Sequence, residues 1–347
     1  MTLQRLDFFS DTKTRPTPAM REAMARAEVG DERAGEDPTV NRLVERCAAL
    51  LGKPAAIYLP SGTMCNEIAL AVHCRPGDEV LCEAGCHLIG FEGGGPAALA
   101  GAMLRPIAGR RGIYTAEQLA AAIHPDNPQM PRQRLVTVEQ TANLGGGAIW
   151  PLPALRAVAP LAHEHGLATH MDGARLMNAS VATGIEPSAY AQGFDTVWID
   201  FSKGLGAPGG AVLGGSVAFI AEALRLKLRW GGAMRQSGII AAACDYALDH
   251  HVERLAEDHA NARRLAEGIA GIAGLAVDAA NVETNLVFFD VTAAGLDAAA
   301  LCARLAARGV RMGAMGPRTI RAVTHLDVDQ AAVDTALAAL REAMAMG

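Results

Sequence analysis

The chain has 347 residues, of which 50% are hydrophobic and 20% charged, enough to bury a large core in one big domain or two unequal ones. Its net charge of −6 and its lack of a basic run argue against nucleic acid as a partner. The first ten residues contain no apolar segment of the signal-peptide kind, and the most apolar later stretch, residues 211–224, is too short to span a membrane, which argues against export and against a membrane partner. The seven cysteines are odd in number and scattered, so we expect reduced thiols and a cytoplasmic location.

From about residue 55 the sequence repeats one pattern: a short apolar run with β-forming residues, a polar or glycine-rich turn, and a helical stretch. This alternation predicts an α/β fold with a mostly parallel sheet. The predicted strands are residues 55–59, 79–82, 135–139, 167–172, 196–201 and 211–213.

The pattern changes after the glycine-rich segment 231–238, where long amphipathic helices begin. A strand at 285–290, a helix at 298–308, a strand at 319–324 and a last helix from Gln330 predict a smaller α+β unit. We therefore predict a large domain at 21–250 and a small C-terminal domain at 251–347. Residues 1–20 are too few for a core of their own, so we expect them to pack on the small domain or on a neighbouring subunit.

A turn of small residues, Ser61, Gly62 and Thr63, joins a predicted strand to a helix that begins near Met64. Backbone N–H groups at a helix N-terminus can bind an anion, and the two hydroxyl groups add donors. The turn therefore predicts a phosphate cup. The same residues would also serve as an ordinary helix cap, so this signal is weak by itself.

Asp172 ends a predicted strand, at the carboxyl edge where α/β proteins bind ligands. A carboxylate there can pair with a protonated heterocyclic nitrogen, and Arg175 can hold a substrate carboxylate through two hydrogen bonds. The alternative is that Asp172 only caps the next helix. His170 alternates inward on the same strand and is predicted to be a core histidine.

A further predicted strand ends in Ser202 and Lys203, followed by Gly-Leu-Gly. The chain has four lysines, and only Lys203 follows an apolar strand and precedes glycines that allow close approach of a ligand. We expect burial and nearby positive charge to lower the pKa of Lys203 and make its amine a nucleophile toward an aldehyde. This is the chemistry of pyridoxal 5′-phosphate (PLP).

The order of phosphate cup, aspartate and lysine resembles that of fold-type I PLP enzymes. The resemblance narrows to the L-threonine aldolase family, part of the beta-eliminating lyase superfamily, and covers essentially the whole chain. The matching segments are residues 10–16, 35–39, 59–63, 170–175, 202–206, 231–238 and 321–327.

The resemblance implies retro-aldol cleavage of a β-hydroxy-α-amino acid, such as threonine, allo-threonine or phenylserine, into glycine and an aldehyde. It implies that Lys203 holds PLP as a Schiff base and that Asp172 keeps the pyridine nitrogen protonated. His87 then stacks on the pyridine ring, and either His87 or a water is the base. The family is usually homotetrameric with shared sites, so we expect a homotetramer or a dimer of dimers.

Three further roles follow from the resemblance. Ser10, Arg175 and Arg321 are implied to hold the substrate carboxylate, and Arg235 to contact the phosphate in a neighbouring subunit. Cys82, Cys86 and His87 are metal-ligand types, but they have no recognisable fourth ligand, so no metal site is predicted. The histidines at 163, 165, 250 and 251 are predicted to be solvated.

The sequence departs from the family at Ala142, where a histidine is common, at Ala34, where a tyrosine is usual, and at Leu228, where a lysine is usual. Lys227 and Arg229 lie beside Leu228 and could substitute for that lysine. The two alanines are either drift or evidence of a pocket enlarged for a bulkier β-substituent. Two other hypotheses stay open: a different PLP lyase, for example one catalysing β-elimination, and a non-catalytic PLP-binding protein.

Overall fold

The computed structural model describes residues 6–345 and contains two main sheets. In chain order the strands are β1 (Leu6–Asp7), β2 (Ala55–Leu59), β3 (Glu79–Glu83), β4 (Met103–Ile107), β5 (Gln133–Glu139), β6 (Ala168–Asp172), β7 (Thr196–Asp200), β8 (Ala211–Gly215), β9 (Leu275–Ala276), β10 (Leu286–Val291), β11 (Val310–Arg311), β12 (Gly313–Ala314) and β13 (Thr319–Val323). Seven of them form the central sheet, in the order β2-β8-β7-β6-β5-β3-β4. One strand, β8, runs opposite to the other six, which confirms the predicted α/β fold with a mostly parallel sheet.

The helices fill the connections between these strands. They are α1 (Pro18–Ala25), α2 (Pro38–Leu51), α3 (Gly62–His73), α4 (His87–Gly90), α5 (Ala116–Ala122), α6 (Leu152–Glu164), α7 (Leu176–Thr183), α8 (Pro187–Ala191), α9 (Val217–Arg229), α10 (Gly238–His250), α11 (Leu255–Ala270), α12 (Ala298–Ala306) and α13 (Gln330–Ala345). No helix within residues 6–345 is long and apolar enough to cross a membrane.

The central sheet is covered on both faces. Along β2, Ala56 and Tyr58 pack into one hydrophobic core, whereas Ile57 and Leu59 pack into another. Alternate residues of a strand point to opposite faces, so the two cores lie on opposite sides of the sheet. A parallel sheet between two helix layers presents its strand ends, and not its faces, to ligands.

Strand β4 was not predicted. It lies at the edge of the central sheet, where it pairs only with β3. Its sequence, Met-Leu-Arg-Pro-Ile, is partly exposed and contains Pro106, which is tolerated at an edge because no second neighbour needs its missing N–H. The continuous apolar run that marks a buried strand is therefore absent.

The C-terminal part has a four-stranded antiparallel sheet in the order β12-β13-β10-β9 and a core of its own with α11, α12 and α13. The N-terminal segment lies on it: β1 pairs in parallel with β11, and Phe8 is buried in the C-terminal core. Residues 1–5 lie outside the described residues. The boundary predicted at residue 250 coincides with the end of α10 and stays a prediction.

Two of the histidines predicted to be solvated differ in their exposure to solvent. His163 is partly exposed and contacts Asp195, 3.0 Å away. His251 is buried, and its Nδ1 lies 2.7 Å from the carbonyl oxygen of Leu205, so the prediction of solvation is wrong for this residue. The end of α10 packs against the loop after β7, which sequence periodicity did not reveal.

Candidate active site

A cavity of about 300 Å³ opens at the carboxyl ends of β6 and β7 and at the N-terminus of α3. Its location follows the rule that parallel sheets bind ligands beyond the carboxyl ends of their strands. Every predicted site residue except Arg235 lines it: Ser10, Ser61, Gly62, Thr63, His87, Asp172, Arg175, Ser202, Lys203 and Arg321.

The predicted phosphate cup forms the N-terminus of α3. Ser61 is the N-cap, and its Oγ accepts the N–H of Met64 at 3.3 Å. The first N–H groups of a helix have no partner inside the helix, so those of Gly62 and Thr63 can donate to an anion. Gly62 is also required by packing, because a Cβ there would lie 2.2 Å from the ring of Trp198.

Gly62→Ala is therefore expected to displace Trp198 or the first turn of α3. Overpacking of this kind costs about 1–3 kcal/mol, so the melting temperature and the affinity for phosphate-bearing ligands should both fall. Gly316→Ala is the matched control, since a Cβ at Gly316 meets no atom within 4 Å. Equal melting temperatures and equal PLP affinities for the two variants would contradict this account of the cup.

Asp172 is buried at the end of β6 and held by Asn66 of α3, a residue not predicted for the site. The Nδ2 group of Asn66 donates to Asp172 and to Glu92, both at 2.9 Å. Its Oδ1 accepts the indole N–H of Trp198 at 2.7 Å and lies 3.1 Å from His170 Nε2. Since Trp198 can only donate, the amide orientation of Asn66 is fixed. Asn66 follows Gly62 by one helical turn, a spacing that could have indicated it.

His170 is a core histidine, as predicted. It is buried, and its Nδ1 lies 2.9 Å from the Thr196 hydroxyl group. Burial lowers its pKa to about 3, so the ring is neutral near pH 7. A neutral ring that donates through Nε2 to Asn66 can accept from Thr196 through Nδ1, which completes this hydrogen-bonded support for Asp172.

His87 begins α4 and lines the cavity. Its Nδ1 lies 2.6 Å from Glu92, and its backbone N–H donates to Glu139 at 3.0 Å. Burial lowers the pKa of His87, but the hydrogen bond that its ring donates to Glu92 and the negative charge of Asp172 outweigh this, and the net pKa is raised. The ring stacks on Phe91, with 5.4 Å between centroids. With Nδ1 engaged, Nε2 is the ring nitrogen left for a ligand.

Lys203 follows β7, and its amine contacts a carboxylate that was not predicted for the site. Its Nζ donates to Asp200 Oδ2 at 2.5 Å, and the pair is almost buried. The backbone N–H and the hydroxyl group of Ser202 both donate to the other oxygen, Oδ1, at 2.8 Å. The Nζ also lies 5.6 Å from the centroid of the Trp198 ring.

The expected lowering of the pKa of Lys203 is wrong for this structure. Burial does lower the pKa, but the charge of Asp200 raises it, and the smaller opposing effects of Arg175 and Asp172 leave the pKa above its ordinary value. The sequence analysis considered burial and positive charge but not the ion pair with Asp200. Lys203 must lose this proton before it attacks an aldehyde.

Arg175 is buried and oriented by Asp11, which lies far away in sequence. Its Nε and Nη2 donate to the two oxygens of Asp11, each at 2.8 Å. This two-pronged pair occupies one edge of the guanidinium group and fixes its plane. Ser10, beside Asp11, brings its hydroxyl group to the cavity wall.

Arg321 of β13 comes from the C-terminal unit and reaches the same cavity. Its Nη1 donates to Asn143 at 3.0 Å and its Nη2 to the carbonyl oxygen of Phe9 at 3.3 Å, while its buried Nε has no partner. Burial and the charge of Arg175 lower the pKa of Arg321. The buried guanidinium group of Arg175 and the half-buried one of Arg321, with its free Nε donor, fit a carboxylate ligand.

Arg235 lies away from this cavity. Its guanidinium group is 58% exposed and donates to Asp31 at 2.8 Å. The role predicted for it, contact with a phosphate in a neighbouring subunit, stays a prediction.

The two alanines that depart from the family do not line the cavity. Ala142 is buried and packs against the turn at Gly112, where a built Cβ would lie only 2.5 Å from the Cβ of Ala142. The neighbouring Asn143 lines the cavity instead. Ala34 is exposed in the turn before α2. The side chain of Ala142 is therefore used in packing, and the interpretation that it enlarges the substrate pocket stays a prediction.

The suggestion that Lys227 replaces the family's lysine also fails. Lys227 is buried, and its ammonium group forms an ion pair with Glu32. Glu32 also accepts the hydroxyl group of Ser237 at 3.0 Å. This amine anchors the glycine-rich segment, whereas the adjacent Leu228 is partly exposed.

The fold has a mostly parallel sheet, and one cavity brings together Lys203 after β7, Asp172 at the end of β6 and the N-terminus of α3. These features define an enzyme of the fold-type I PLP class. The sequence model described as beta-eliminating lyase matches residues 7–294. The chain belongs to this lyase family and, within it, to the L-threonine aldolases.

Individual relatives of known name support the assignment to the L-threonine aldolases. The chain is 42% identical to the low specificity L-threonine aldolase of Escherichia coli K12, over 94% of this chain and 95% of that protein. It is 38% identical to low-specificity L-threonine aldolase 1 of Arabidopsis thaliana, over 99% of this chain and 98% of that protein. The structure of Leishmania major threonine aldolase matches with a TM-score of 0.84 over 98% and 99% of the two chains, and at 20% identity this shows a shared fold.

Proposed function

We propose that this enzyme is a PLP-dependent aldolase that cleaves L-β-hydroxy-α-amino acids, such as threonine, allo-threonine or phenylserine, to glycine and an aldehyde. One observation carries the proposal: Lys203, Asp172, the α3 N-terminus and two arginines converge on one cavity. The names of the relatives support the same reaction.

The residues present fit PLP. The N-terminus of α3 would hold the phosphate, Asp172 the ring nitrogen, His87 a ring face and Lys203 the aldehyde. The carboxylate of Asp172 suits a cationic nitrogen, since Asn66 and the N–H of Ala174 fix its two oxygens. When bound, PLP would supply an electron-accepting ring for the electrons of the Cα–Cβ bond.

The chain's own residues would bind and orient the substrate. Arg175, fixed by Asp11, and Arg321, with its free Nε, would hold the carboxylate and thereby direct the bond to be broken. His87 Nε2, or a water that it holds, would take the proton of the β-hydroxyl group. Because Glu92 raises the pKa of His87, the ring would be a base only above that raised value.

Arg175→Lys is expected to weaken substrate binding far more than PLP binding. A point charge replaces a two-pronged group, and losing a charged hydrogen bond costs about 1.5–3 kcal/mol, so KM should rise roughly 10- to 100-fold. Steady-state kinetics and PLP titration measure the two effects separately. Arg264→Lys, in an exposed pair with Asp334, is the control. A larger loss of PLP affinity than of substrate affinity would contradict this role.

A substrate panel tests the proposed function. The PLP-loaded enzyme should cleave threonine, allo-threonine or phenylserine and release one glycine for each aldehyde. Formation of a keto acid and ammonia from serine, without aldehyde, would instead favour β-elimination. Binding of PLP without any turnover would favour a non-catalytic PLP-binding protein. Ala34 and Ala142, the residues that motivated the different-lyase alternative, do not line the cavity of this chain and so give that alternative no support here.

We also propose a homotetramer or dimer of dimers in the cytoplasm. The outward-facing guanidinium group of Arg235 supports a shared site, since it lies outside the cavity of its own chain. The cysteines are all free, and all but Cys302 are buried, in keeping with a reducing compartment.

A further inference from the structure

Strand β7 presents two side chains to the cavity, Trp198 and Asp200, and neither was among the predicted site residues. They are two residues apart, so they share one face of the strand. Trp198 supports Asn66, as described above. Asp200 contacts the amine of Lys203 directly and has no such supporting role.

Hydrogen bonds within the chain fix the geometry of Asp200. Ser202 donates twice to Oδ1, from its backbone and from its hydroxyl group, so the carboxylate cannot rotate freely. The remaining oxygen, Oδ2, is left for the Lys203 amine, whose only hydrogen-bond acceptor within the described chain is this atom. Because Ser202 occupies Oδ1 of Asp200, only Oδ2 is left to accept a hydrogen bond from the Lys203 amine, and this fixes the direction of that amine.

We propose that Asp200 is a positioning residue, the counter-ion that keeps the free amine of Lys203 in its ammonium form and directs it into the cavity. This inference deepens the proposed aldolase function and rests on it for the chemical consequence. A free Lys203 then acts as a proton donor to the substrate and not as a base.

Other charged or titratable groups also act on the Lys203 amine. Arg175 opposes its protonation, and Asp172 favours it. Asp11 is paired with Arg175, and the thiol of Cys65 is buried with its pKa raised by burial, so it is neutral. Asp200 is the carboxylate in direct contact with the ammonium group, which makes it the dominant partner.

The proton balance of the reaction suits a donor. When the Cα–Cβ bond breaks, the β-hydroxyl group loses its proton as the aldehyde carbonyl forms, and Cα must gain a proton to become that of glycine. An ammonium group can supply it: one N–H bond of Lys203 breaks as the Cα–H bond forms. A neutral amine would instead remove an α-hydrogen from amino acids that cannot undergo aldol cleavage.

The first test uses the full chain without PLP. With ¹³C-labelled lysine the four lysines give few side-chain NMR signals, and Lys203→Arg identifies that of Lys203. Asp200→Asn should lower the pKa of Lys203 by about 1–3 units, whereas Asp200→Glu should keep that pKa close to the wild-type value. The control is Asp249→Asn, which removes a partly exposed partner of Arg46 and should leave the pKa of Lys203 unchanged. An unchanged pKa in folded Asp200→Asn overturns the proposal. So does a wild-type pKa below 10.5, even where Asp200→Asn does not fold.

The second test uses the PLP-loaded enzyme and alanine in D₂O. Each unit by which the pKa falls makes the neutral amine about tenfold more abundant at a pH well below it, so Asp200→Asn should exchange the α-hydrogen of alanine about tenfold or more faster than wild type. Equal or slower exchange overturns the donor role. A wild type that cleaves no β-hydroxy amino acid, yet shows the expected NMR shift, would disprove the aldolase function and leave the ion-pair role of Asp200 intact.

Discussion

Changing Lys203 to alanine is expected to reduce cleavage of β-hydroxy-α-amino acids at least about 100-fold, the lower end of what one positioned proton-transfer group contributes. The loss should be larger if the amine also binds PLP covalently. Among the described residues no other lysine can replace it: Lys53 donates to backbone carbonyl groups, Lys227 is paired with Glu32, and Lys13 is exposed. Aldehyde release and the visible absorbance of the PLP-loaded protein measure the effect.

Two variants control for this experiment. Lys13→Ala removes a lysine outside the cavity and should leave both readings unchanged. Lys203→Arg keeps a cation beside Asp200 but lacks the amine chemistry, so it should be as inactive as Lys203→Ala while avoiding an unpaired buried carboxylate. Normal turnover and a normal spectrum in either Lys203 variant would disprove the assignment.

Asp172→Asn is expected to retain PLP but to lower kcat about 100-fold. Removing one charge of a buried pair costs about 3 kcal/mol or more, and each 1.36 kcal/mol is a factor of ten in rate. The amide can still accept the N–H of Ala174, so the fold should survive. Measurements are kcat at saturating PLP and the PLP dissociation constant.

The pH dependence provides a further check on Asp172. Burial raises the pKa of its carboxyl group in the ligand-free chain, and the positive charges of His87 and Lys203 partly oppose this. A bound cation would lower it, so PLP binding by wild type should weaken as the pH falls and the carboxylate takes up a proton. The asparagine variant should lack this component. An unchanged kcat, or the same pH dependence in both proteins, would show that Asp172 only holds the turn before α7, where it accepts the N–H of Ala174.

Much of the site could be predicted because it lies where strands end. Asp172 and Lys203 follow apolar runs, and Gly62 follows one before a helix, so a parallel sheet brings all three to one edge. His87, Ser10 and Arg321 came from the family resemblance alone. The structure places them on the same cavity, although their elements carry no local signal of ligand binding.

The amino-acid sequence by itself determined the class of fold, six of the seven central strands to within two residues, and the residues at the strand ends, because hydrophobic periodicity and turn chemistry are local. Tertiary structure alone decided which groups those residues meet. Arg175 is oriented by Asp11, 164 residues away, and Ala142 turns toward Gly112 and away from the cavity. The charge state of Lys203 depends on the direction of Asp200, which is only three residues earlier in the chain. That spacing made the contact possible, but only the structure showed that the carboxylate turns toward the amine at the end of β7, where its charge raises the pKa of the buried amine.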